Sequence, residues 1–237
     1  MVRQAIIRLR HKEAHKKPSR LRDFILGWQD GLVNVLGVIL GVATATSDTR
    51  MVLIAAMAAT FAESISMMAV AYTSFKAEAD FYRSELAREK LEVETMPEAE
   101  RSEIRSIFRS MGFGGALLAK AVRTVSSNKK RWIDFMMDRE LKLSPPKFSP
   151  LNIAVIVGAS ALIGSLIPAV PFFLLPISSA IMVTLLVSVT VLFFVGYYKS
   201  ATTVGNPIRG GLEMSAIGML AAIAGYAIGA IFGVVLV

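Results

Sequence analysis

From Ala55 to Glu92 the chain runs without a glycine or a proline, yet its character changes midway. The first part, AAMAATFAESISMMAVAY, is apolar apart from Glu63, and the second, SFKAEADFYRSELAREKLE, is dense in charge. With no breaker between them, one helix has to pass from hydrocarbon into water. Such a rod excludes an ordinary soluble globule. The rest of the chain agrees: 54% of residues are hydrophobic, and charges crowd into residues 1–23 and 76–147.

Five apolar segments follow from the pattern: Phe24–Thr46, Met51–Ser74, Leu151–Val170, about Leu174 to Tyr198, and about Gly211 to Val237. Each has the ~20 residues a helix needs to cross a bilayer. The expected fold is all-α, a polytopic membrane protein with five transmembrane helices. Its parts are a basic segment at 1–23, helices one and two at 24–75, a helical insert at 76–147, and helices three to five at 148–237. SDTR at 47–50 reads as a tight turn, Pro168, Pro171 and Pro176 as the second outer turn, and GNP at 205–207 as the last loop.

Lys and Arg set the expected orientation. Eight precede the first segment, fifteen lie between segments two and three, and Lys199 and Arg209 lie between four and five; Arg50 alone falls on the other side. The N-terminus and the insert are therefore expected in the cytoplasm and the C-terminus outside. The net charge of +8 has the same origin, so no nucleic-acid partner is expected. The first 22 residues lack a signal-peptide pattern and read as a basic segment lying on the inner membrane surface.

Metal chemistry is narrowed by what is missing. There is no Cys, and both His lie in the basic N-terminal segment. Any ion held further along must be held by carboxylate and thioether. In the membrane half, Asp30 lies about six residues into segment one, ~9 Å deep at 1.5 Å per residue. Met67 lies at the same depth in segment two, and Glu63 sits one turn further in on the same face. These three residues form a candidate transport path through the bilayer. Plainer readings stand beside it: Asp30 as the cap of a broken helix start, Glu63 as a protonated packing contact, Met67 and Met68 as core filler. Glu213 is either an ion-entrance acid or an ordinary interfacial charge. Gly37-x-x-x-Gly41 reads as a packing or dimerisation face.

In the insert, Thr95-Met-Pro-Glu98 has the form of a capping box with Pro in the first turn. It predicts a helix over 97–110 returning antiparallel to 85–94, followed by helices at about 116–125 and 129–141. Glu89/Glu92 and Glu100/Glu103 are Glu-x-x-Glu pairs that the turn would bring together. Met136, Met137 and Glu140 repeat the mixture of sulfur and carboxylate. Four converging carboxylates repel unless a cation lies between them. The alternative is a solvated acidic face laced with i,i+4 ion pairs.

These features together resemble the vacuolar iron transporter family from about Arg20 onward. The resemblance is carried by Asp30-Gly-Leu-Val, Ile65-Ser-Met67, the PEAE and EI of 97–104, RWIDFMMDREL at 131–141 and GLEM at 211–214. It implies a homodimer of five-helix protomers exchanging ferrous iron for protons, with a path between subunits and a cytoplasmic metal-binding domain. By motif match Asp30 and Met67 are path residues. Glu89, Glu92, Glu100, Glu103, Met136 and Glu140 are the cytoplasmic ligands, with Met137 a further candidate. One departure stands out: the family acid two turns before the Met is Ala59 here, and Glu63 lies one turn before it. The expectation is an exporter of Fe2+, with Mn2+ and related ions as further cargo. It has no permanently bound cofactor, and its setting is a prokaryotic cytoplasmic membrane. The rivals are a membrane-anchored carboxylate ferroxidase and a metal buffer or sensor.

Overall fold

The computed structural model describes residues 20–202 and 205–235. Among them are eight α-helices and no strand: α1 Arg20–Thr46, α2 Thr49–Thr95, α3 Pro97–Ser110, α4 Gly115–Ser126, α5 Lys129–Arg139, α6 Pro150–Leu174, α7 Ile177–Thr202 and α8 Pro207–Val235. Five of them, α1, α2, α6, α7 and α8, are long and apolar enough to span a membrane. The all-α architecture is thus as expected. Most of the basic N-terminal segment, residues 1–19, lies outside the described residues. The described residues up to Val70 and from Ile153 onward form one compact unit, and Ala71–Asn152 forms a second. The division falls inside the unbroken helix α2.

In the first unit α1 carries contacts to several helices. Val35, Ile39 and Ala43 pack with Val52, Ala56, Ala169, Phe172 and Ala180, while Trp28 and Leu32 pack with Leu192 and Met214. Lipid gives helices little hydrophobic reason to associate, so close approach depends on small residues. A Cβ at Gly225 would lie 2.1 Å from the Gly37 carbonyl oxygen, and one at Gly229 would lie 2.2 Å from that of Gly41. The small-residue face Gly37-x-x-x-Gly41 is therefore used within the chain, against α8. Gly27 and Gly31 do the same against the Val157 and Ala161 carbonyls of α6.

Several local expectations need correction. Pro168 and Pro171 lie inside α6, which continues to Leu174, and only Pro176 stands at the turn before α7. A proline in a membrane-spanning helix frees single carbonyls that neighbouring helices re-satisfy. The carbonyls so freed are those of Gly164 and Ile167, four residues back; the Thr184 hydroxyl bonds a different one, donating to the Pro168 carbonyl across α6 and α7 at 3.0 Å. Helix α1 also runs unbroken through Asp30-Gly31, so Asp30 is an interior helical residue rather than a cap. The loop signal at Gly205-Asn-Pro is met: Asn206 Oδ1 accepts from the backbone N–H groups of Ile208 and Arg209.

The second unit is built on a core of Val93, Ile104, Leu118, Val122, Trp132, Ile133, Met136 and Met137. Helix α3 ends where Gly112 adopts a φ of +91°, open to glycine at little strain. The Phe113 N–H then donates to the Phe108 carbonyl, and the two rings pack 5.2 Å apart. Asn128 Oδ1 caps α5 through the Arg131 N–H, 3.0 Å. The capping box at 95–98 does not form. Thr95 remains in the last turn of α2, its hydroxyl bonded to the Leu91 carbonyl, and Met96 stands at the N-cap of α3 without a side-chain bond. Glu98 pairs with Arg101 instead. One residue, Met96, therefore joins two helices.

Candidate metal sites

That one-residue joint brings the last turns of α2 against the first turn of α3. Carboxylate oxygens of Glu89, Glu92 and Glu100 all lie within 4.8 Å of one another. Glu89 and Glu100 are 2% and 3% exposed, and the Oε2 atom of each is buried with no hydrogen-bond partner among the described residues. The sequence explains the burial. Val93 follows Glu89 by one turn and Ile104 follows Glu100 by one turn, and both belong to the apolar core. The acids are held against that core.

Electrostatics follow from this placement. Burial, then the Glu140, Glu92 and Glu103 charges, push the Glu89 carboxyl up to about 7, against a lowering pull from Arg88. Burial, then Glu103, Glu89, Glu92 and Glu140, push Glu100 up to about 7. Glu140 is raised by burial and by Glu103, which both repels it and shares a hydrogen bond with it. The Arg88 guanidinium is drawn to Glu85 at 2.7 Å and to Glu92 at 3.7 Å. Five carboxyls thus feel one another beside the Arg88 guanidinium, a charge excess that protons or a cation relieve. Met136 and Met137 are buried in the adjacent core, and the Glu140 N–H donates to the Met136 carbonyl, 3.0 Å.

The first unit holds a second polar cluster. The Glu63 side chain of α2 lies beside those of Asp30 and Asn34, both on α1. Asp30 and Glu63 are each half-buried, as is Met67 one turn beyond Glu63. Met68 packs instead against Gly158 of α6. Ala59 packs against the apolar cluster of Val35, Ile39, Val52 and Phe172. Position 59 thus faces hydrocarbon side chains while position 63 meets Asp30. Glu213 lies at the surface, paired with Arg209 at 3.1 Å.

The chain has relatives. The profile of the VIT family matches residues 21–230. This chain belongs to the VIT family. A "Vacuolar iron transporter 2" of Oryza sativa subsp. japonica is 33% identical over 229 residues, covering 94% of this chain and 92% of that protein. A "Vacuolar iron transporter" of Plasmodium falciparum is 28% identical over 94% of this chain and 86% of its own length. The yeast "Protein CCC1" is 26% identical over 86% of this chain and 66% of its own.

Within this VIT-family chain, Asn34 is the polar residue of the membrane cluster that sequence reading passed over. Its signal was its spacing: four residues after Asp30, on the same helical face, in an apolar span.

Proposed function

We propose that this VIT-family chain exports divalent iron from the cytoplasm in exchange for protons, with Mn2+ and related ions as further cargo. The observation that carries the reading is the meeting of the Asp30 and Glu63 side chains between two helices long and apolar enough to span a membrane. Two carboxyls facing each other in an apolar span repel unless a proton or a cation lies between them. A divalent cation entering the pair displaces that proton, and a proton arriving from the other side displaces the cation. Both compete for the same oxygens, so one site couples the two fluxes without a separate relay. Met67 contributes a thioether, which disfavours Mg2+ and Ca2+.

In the second unit, Glu89, Glu92, Glu100, Glu103 and Glu140 collect the ion, with Met136 and then Met137 as sulfur donors. The buried, unpartnered oxygens of Glu89 and Glu100 support this role. The acting form is a homodimer in the cytoplasmic membrane of a prokaryotic cell, with the N-terminus and the 76–147 insert inside. The Lys/Arg distribution supports that orientation. Iron as cargo is supported by the names of the rice and Plasmodium relatives.

The test is flux into proteoliposomes under an imposed pH gradient, with anaerobic Fe2+ outside the acidic lumen and a pH dye inside. Fe2+ accumulates as the lumen becomes less acidic, and collapsing the gradient stops it. Oxygen-dependent oxidation of Fe2+ without flux would overturn the reading.

A further inference from the structure

The membrane cluster contains more than its two acids. Asn34 lies one turn after Asp30 on α1, is exposed on the surface of its own chain, and lies beside the Glu63 side chain. It also lines a groove of about 630 Å3 between α1 and α8, whose walls are otherwise apolar except for Thr46. The Thr46 hydroxyl is spent on its own helix, donating to the Val42 carbonyl at 2.8 Å. Asn34 is then the groove residue whose polar atoms reach across to another helix. A carboxamide on an apolar membrane wall is unfavourable unless its groups are used.

Resting on the reading of Asp30 and Glu63 as the transport site, we infer that Asn34 is a selectivity-determining ligand of that site. The amide N–H donates to the Glu63 carboxylate and fixes its direction. That leaves the amide carbonyl oxygen, a neutral hard donor, beside the two carboxyls. Asp30, Glu63 and Asn34 then supply three oxygens against the one sulfur of Met67. Carboxylate and carbonyl oxygens suit Mn2+, whereas thioether shifts preference toward softer ions such as Zn2+. Asn34 tips this balance toward oxygen-preferring cargo, and it does so without adding a third negative charge.

The test compares Mn2+ and Zn2+ uptake, each metal alone, in proteoliposomes of the wild type, Asn34→Leu, Asn34→Ala and Asn34→Asp. Leu is close to Asn in size and compatible with lipid, so Asn34→Leu reads the loss if Asn34→Ala fails to assemble. Removing the amide lowers the Mn2+-to-Zn2+ flux ratio by about fivefold or more, the effect of one lost polar contact. Asn34→Asp keeps an oxygen at that place and keeps the wild-type order of the two ions. An unchanged ratio in both removal variants, or an inverted order in Asn34→Asp, overturns the inference. Absence of wild-type flux for both Mn2+ and Fe2+ instead refutes the transport reading beneath it, a result the variants do not produce.

Discussion

Glu63 and Asp30 meet side chain to side chain across α1 and α2, whereas Ala59, one turn away on the same helix, packs among aliphatic and aromatic side chains. The acid of this chain therefore stands where the partner acid is. Exchanging Ala59 and Glu63, as in the double variant Ala59→Glu with Glu63→Ala, is expected to leave proteoliposome iron flux abolished. It is also expected to destabilise the protein by roughly 2–4 kcal/mol through a carboxyl set among apolar neighbours. Flux and thermal unfolding in detergent check the two halves separately. Normal iron flux in Glu63→Ala alone would remove Glu63 from the path.

Stability of the metal-free protein should fall as pH rises. Glu89 and Glu100 sit near 7 when folded, against 4.5 for an ordinary Glu. Below 4.5 both states are protonated and the two groups are neutral to folding. Between 4.5 and about 7 the folded unit keeps protons that the unfolded chain has released, so stability declines through that window. The decline is at most roughly 3–4 kcal/mol per carboxyl. Melting of the full chain with chelator at pH 5 and pH 8 measures it, and saturating Mn2+ should abolish the difference.

The same acids predict opposite effects on stability and on binding. Glu100→Gln or Glu89→Gln removes a buried charge that its neighbours oppose. Each should raise the metal-free melting temperature at pH 8 while weakening metal binding by about tenfold to a hundredfold. Calorimetric titration and melting of the same samples decide this. Because the cluster is proposed as a collecting site, Glu89→Ala should reduce flux only when metal is scarce. Equal loss at saturating metal would contradict that role.

Helix approach in the first unit should be intolerant of one methyl. Gly225→Ala places a Cβ 2.1 Å from the Gly37 carbonyl oxygen, so α1 and α8 must separate, at roughly 2 kcal/mol or more. Gly114→Ala, where a Cβ meets nothing within 4 Å, is the control and should change little. Detergent melts of the two variants should differ by several degrees.

The spans and the charged insert were legible because lipid imposes length and polarity on a helix regardless of its neighbours. The limits of the reading all concern which side chain meets which. Thr95 and Glu98 spelled a capping box, but Thr95 stays in α2 and Glu98 takes Arg101. Pro168 and Pro171 read as a turn, but α6 runs through both to Leu174. The spacing of Asn34 put it on the face of Asp30, but its partner shows only once the helix opposite it is known.

The interlocked glycines of α1 and α8 carry a mechanical consequence. Each Cβ position of Gly225 and Gly229 is already taken by a carbonyl of the other helix, so the two cannot slip lengthwise past each other without collision. They travel as one stiff plate. In the proposed exchange of iron for protons, movement of α2 against that plate would part Glu63 from the Asp30–Asn34 turn.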